Sequence, residues 1–70
     1  MHPMATLKSI GRKIVKARNA AGLSQEDVAG EAEVNRAHYS NIENGKANFS
    51  IEMLFKICKA LKIKESDLFE

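Results

Sequence analysis

A chain of 70 residues with a net charge of +2 is long enough for one small domain and no more. Its 44% hydrophobic and 29% charged residues are ordinary for a globular domain, and no apolar run approaches the roughly 18 residues of a membrane span. The single cysteine, Cys58, excludes an internal disulfide, and one Cys with two scattered His residues makes no metal site.

The opening "MHPMATLKSIG" has no apolar h-region and does not read as a signal peptide. Residues 1–6 are expected to form a disordered lead-in, with the domain over 7–70. A lone cysteine without an export signal fits a cytoplasmic location. Charge is unevenly spread. Lys8, Arg12, Lys13, Lys16 and Arg18 precede the first acid, Glu26. Such asymmetry suggests a positive region on the fold, although on charge alone a solvated helix face is the commoner case.

The pattern is helical throughout. A first helix is predicted from about Leu7 to Ala21, with Leu7, Ile10, Ile14 and Ala21 near one face and Gly22 as its stop. A second runs from Gln25 to Ala32. Ser24 is its N-cap, Asp27 completes a capping box, and Val28, Ala29 and Ala32 form the buried stripe. A third runs from Arg36 to Asn44 between the cap Asn35 and Gly45. Its Tyr39 and Ile42 point inward, with the Tyr39 hydroxyl expected at the surface. Ala37, Ser40, Asn41 and Asn44 point outward, by the 100° step of a helix.

A fourth helix, Ile51 to Leu61, follows the cap Ser50. Phe49 and Leu54 stand at the positions of a hydrophobic staple. Ile51, Leu54, Phe55, Cys58 and Leu61 make one apolar stripe, and Met53, Ile57 and Ala60 a second. A helix apolar on two sides is buried on two sides, the second of them fitting a partner. A last short helix begins near Ser66 and carries Leu68 and Phe69. The fold class is all-α.

Helices two and three, joined by a link of about three residues, describe a helix-turn-helix. Ala29, Val34, Tyr39 and Ile42 follow Gln25 by four, nine, fourteen and seventeen positions. The small residue lets helices cross, and the apolar ones hold the second helix at a fixed angle.

On these residues, with the marks "GLSQEDVA", "IENGK" and "KALKIKESDLF", the chain resembles the Cro/C1-type (XRE) helix-turn-helix family from Leu7 to Phe69. That family includes lambdoid phage repressors and restriction–modification controller proteins. A chain ending just after "DLF" is most similar to the controllers. The resemblance implies a five-helix, lambda-repressor-like domain that binds DNA as a homodimer. It implies base contacts from Arg36, Ala37, Ser40 and Asn41. It implies backbone contacts from Gln25, Asn44, Lys46 and Asn48, although Gln25 also reads as a plain first-turn helix residue. His38 lies at the side of the helix, facing either phosphate or solvent. Arg18 and Glu43 match an internal ion pair. Glu33 stands where the family usually has glycine, and a left-handed backbone there costs about 1 kcal/mol or more.

The chemistry of these residue types agrees with such a role. A major groove admits one α-helix, Arg can grip guanine and Asn adenine through paired hydrogen bonds, and Ala can meet a thymine methyl. The expected function is a sequence-specific regulator of controller or repressor type on a pseudo-palindromic operator in double-stranded DNA. Met53, Ile57, Ile63, Leu68 and Phe69 are the interface candidates, with Met53 and Ile57 fitting the domain's own core equally well. The alternative is a protein-interaction module or antitoxin-like partner; the short chain argues against the antitoxin. No nucleophile–base pair, phosphate loop or carboxylate pair points to an enzyme, and no cofactor or small ligand is implied.

Overall fold

The computed structural model describes residues 5–70. Residues 1–4 of the expected lead-in lie outside the described residues. Its last residue, Thr6, is the N-cap of α1 (Leu7–Ala20). Thr6 Oγ1 accepts from the Ser9 N–H at 3.0 Å, and Ser9 Oγ accepts from the Thr6 N–H at 2.9 Å. α1 ends one residue before the predicted Ala21, which is exposed, and Gly22 turns the chain with φ +71°. Ala17 packs against the core from this end of the helix instead.

α2 (Gln25–Ala32) and α4 (Ile51–Leu61) have the bounds that their caps dictate. Ser24 and Asp27 exchange hydrogen bonds of 3.0 and 2.9 Å. Ser50 Oγ accepts from the Met53 N–H at 3.0 Å. α3 (Arg36–Glu43) starts where Asn35 Oδ1 accepts from the His38 N–H at 3.1 Å, and Asn44 becomes its C-cap. Glu33, ending α2, is left-handed at φ 58°, ψ 41°. So is Lys62, ending α4, at φ 58°, ψ 40°. The last element is a single 3-10 turn, Glu65–Leu68, so among the described residues the five expected helices are four α-helices and this turn.

Ile10 and Ile14 of α1, Val28, Ala29 and Ala32 of α2, Tyr39 and Ile42 of α3, and Leu54, Ile57, Cys58 and Leu61 of α4 form one core, closed by Leu68. Each large apolar side chain so buried stabilises the fold by about 1.5–3 kcal/mol. α2 packs mainly on α4, and α1 packs on α3. The α1–α3 approach is close because Gly11 faces the end of α3. A Cβ there would stand 2.4 Å from the Glu43 carbonyl oxygen and 2.6 Å from that of Ile42.

Two expectations are corrected. α4 buries the face centred on Leu54, Cys58 and Leu61, and Ile57 lies on its edge with no exposure. Phe55, a 100° step from Leu54, is 52% exposed, and Ile51 is 70% exposed at the start of the helix. Ile57 and Leu68 are therefore core residues of one chain and present no surface to a second. Met53 and Ile63 are half-buried against the same core, while Phe69 is 50% exposed. The second correction concerns Tyr39, whose hydroxyl is buried with the ring and does not reach the surface. No helix among the described residues is long and apolar enough to cross a membrane.

Candidate nucleic-acid interface

The inner side of α3 is fixed by Tyr39 and Ile42, which leaves its outer side to face solvent. Arg36, Ala37 and Asn41 are exposed there and Ser40 is half-buried. These four positions follow an i, i+1, i+4, i+5 pattern, which is one helical face. Together with Gln25 from the first turn of α2 they line a single open hollow. Asn44, Lys46 and Asn48 are exposed along the segment that leaves α3. Gly45, at φ +72°, sets the path of that segment over α1, where a Cβ would meet Lys8 Cα at 2.7 Å. His38 is half-buried at the flank of α3.

Behind the hollow, Arg18 and Glu43 meet. Arg18 Nε donates to Glu43 Oε2 at 2.7 Å, and Arg18 Nη2 donates to Glu43 Oε1 at 3.2 Å. Arg18 Nη1 donates to the Leu23 carbonyl at 2.9 Å, tying the pair to the α1–α2 turn. The Glu43 side chain is 2% exposed and that of Arg18 15%. Arg18 thus serves the frame rather than the exposed side. The hydrogen bond to Glu43 holds the guanidinium above its usual pKa. Burial pulls Glu43 upward, but hydrogen bonds, led by that from Arg18, outweigh it and leave the carboxyl below its usual range. The Tyr39 hydroxyl is buried beside this pair and makes no regular hydrogen bond. Burial, then the nearby Glu43 charge, lifts it well above the usual phenol range.

Sequence reasoning missed one contact of consequence. Gln25 Nε2 donates to Glu43 Oε1 at 2.8 Å, so the amide is not a free side chain at the mouth of the hollow. Nothing local announces a bond across eighteen positions. Gly11 did carry a signal, since a glycine inside a helix costs about 1 kcal/mol and asks for a packing reason. Among the described residues no group of three or more His, Cys, Asp or Glu is placed to hold a metal ion.

Two short helices crossed on small residues, with the second presenting one polar side, define a helix-turn-helix protein. Residues 14–68 match the helix-turn-helix family, and the chain belongs to it. It is 45% identical over 60 residues to control protein C.MunI of a Mycoplasma species, covering 84% of this chain and 81% of that protein. It is 36% identical over 61 residues to control protein C.BamHI of Bacillus amyloliquefaciens, covering 86% and 75%. Its fold is similar to the restriction–modification controller protein C.AhdI of Aeromonas hydrophila. There the TM-score is 0.87 at 33% identity, over 90% of this chain and 96% of that one. The chain is a helix-turn-helix DNA-binding regulator of the restriction–modification controller type, a family of transcriptional regulators rather than enzymes.

Proposed function

We propose that this chain binds a specific pseudo-palindromic operator in double-stranded DNA as a homodimer and so controls transcription in the cytoplasm. The observation that carries this reading is the hollow shared by Gln25, Arg36, Ala37, Ser40 and Asn41 on the solvent side of α3. Arg36 and Asn41 bring the donors and acceptors that read guanine and adenine, and Ala37 a methyl for thymine. Ser40 hydrogen-bonds either base type. Gln25 enters from α2 as a phosphate donor, with Asn44, Lys46, Asn48 and His38 along the adjoining backbone. Phosphate contacts of this kind fix register, while base contacts specify sequence.

A two-fold dimer sets two α3 helices one turn of duplex apart, about 34 Å. The exposed apolar residues Ile51, Phe55 and Phe69, with the half-buried Met53 and Ile63, are the candidates for contact with a second copy. The similarity to the controller proteins C.MunI, C.BamHI and C.AhdI supports the controller role. Selection of bound duplexes from a random oligonucleotide pool tests the whole reading. The expected product is one sequence with inverted half-sites. Recovery of no preferred sequence, or of an unpaired half-site alone, would refute operator recognition by a dimer.

A further inference from the structure

Glu43 sits at a junction that a plain structural ion pair does not require. Its carboxylate accepts from Arg18 of α1 and, at 2.8 Å, from Gln25 Nε2 of α2, while its own backbone closes α3. A glutamine amide has opposite polarity at its two ends, and its terminal torsion is broad and roughly two-fold. In water the two orientations are close in energy. Against a carboxylate they are not, because an ionised carboxylate only accepts. An amide oxygen turned toward Glu43 would meet a negative charge with no proton between them. The low pKa of Glu43 keeps that selection in force at neutral pH.

We infer that Glu43 is a positioning residue for DNA binding: it selects the orientation of the Gln25 amide, leaving one Gln25 N–H for a backbone phosphate. The inference rests on the reading of the α3 face as a DNA interface. With one Nε2 proton committed to Glu43, the second is the donor left for the hollow that Gln25 lines. Free glutamine loses rotamer entropy when it is ordered. Here that ordering precedes binding, which is preorganisation. Arg18 makes the arrangement tolerable near phosphate. It neutralises Glu43, so the acid that aims the amide does not repel the ligand.

Two measurements on the whole chain with a selected duplex test this. In the free protein, NMR of the Gln25 side chain should show one Nε2 proton shifted downfield and slow to exchange. On adding duplex that proton keeps its place and the other shifts. Loss of the Glu43 bond on binding, or no change in either proton, would overturn the inference. In the second measurement, Gln25→Ala should lower affinity about fivefold, alike for all base variants of the operator. In a Glu43→Gln background the same replacement should cost less than about twofold, since the donor is no longer aimed. Equal losses in the two backgrounds overturn the role of Glu43 alone, whereas failure to select any duplex overturns the DNA reading with it. If Glu43→Gln does not fold, the NMR of the native chain decides.

Discussion

Arg36 and Lys46 are both exposed cations, yet they stand at different kinds of position. Arg36 opens α3 and lines the hollow; Lys46 lies past its C-cap. Arg36→Ala should relax base preference at one position of each half-site, at a cost of about 1–3 kcal/mol. Lys46→Ala should weaken binding to all sequences alike and reduce the salt slope by about one. Titrations against single-base operator variants at several salt concentrations separate the two. An Arg36→Ala protein with lower affinity but unchanged preference would refute its base-reading role. The buried pair behind them makes a second prediction. Glu43 and Asp27 both have pKa values below the usual range. For Glu43 burial opposes hydrogen bonds led by that of Arg18, and for Asp27 the Ser24 backbone N–H is the main cause. Each folded value lies below the unfolded one. The stability each contributes is therefore complete above the unfolded range, near 4, and is lost as pH falls through the folded value. Tm should hold from neutral pH to about 5 and fall below about 4. Arg18→Met should lower stability at pH 7 by about 3 kcal/mol or more, since it strands a buried charge. It should also flatten the acid fall, because Glu43 then loses what held its pKa down. A parallel acid fall in that variant would count against the assignment.

At the scale of elements, the helix ends were legible because each is written in residues three or four apart. Ser24 with Asp27, Asn35 with His38 and Ser50 with Met53 are local bonds, and they set where α2, α3 and α4 begin. The left-handed turn at Glu33 was legible from the glycine expected there, while Lys62 adopts the same conformation without such a hint. Three substitutions test this level by urea midpoint at constant slope. Glu33→Gly should gain up to about 1 kcal/mol by removing the left-handed penalty. Gly30→Ala should gain about 1 kcal/mol, since α2 there has open space within 4 Å of a new Cβ. Gly11→Ala should lose about 1–3 kcal/mol or more, because its Cβ would enter the backbone of α3. A neutral Gly11→Ala would mean that α1 and α3 are not held at this distance.

At the scale of the molecule, a domain this small buries only roughly 60% of the surface its unfolded chain exposes. Apolar surface left over is therefore worth covering. Ile51 and Phe55 are one helical turn apart and both largely exposed, so replacing them tests assembly without opening the core. Ile51→Glu with Phe55→Lys should shift sedimentation toward monomer at micromolar concentration and weaken operator binding by tenfold or more, on the order of 1.4 kcal/mol. The circular dichroism of the monomer should stay helical. Ile57→Ala should instead cost about 2–5 kcal/mol of fold stability, as expected for a fully buried side chain. A double variant that sediments as the native chain does would rule out this surface as the interface.

The sequence by itself determined the helices, their caps, the crossing of α2 and α3, and the side of α3 that faces outward. These depend on the 3.6-residue period and on bonds between near neighbours, both of which a one-dimensional pattern contains. Only the tertiary structure decided how far α4 rotates into the core, sending Ile57 inward and Phe55 outward. With apolar residues on more than one side, its period admits several rotations, and packing against α2 selects one. The tertiary structure also decided that Tyr39 keeps its hydroxyl inside and that Gln25 reaches Glu43. Those contacts join positions brought together by the crossing of three helices. Their partners are set by distance in space, which the spacing of residues along the chain does not encode.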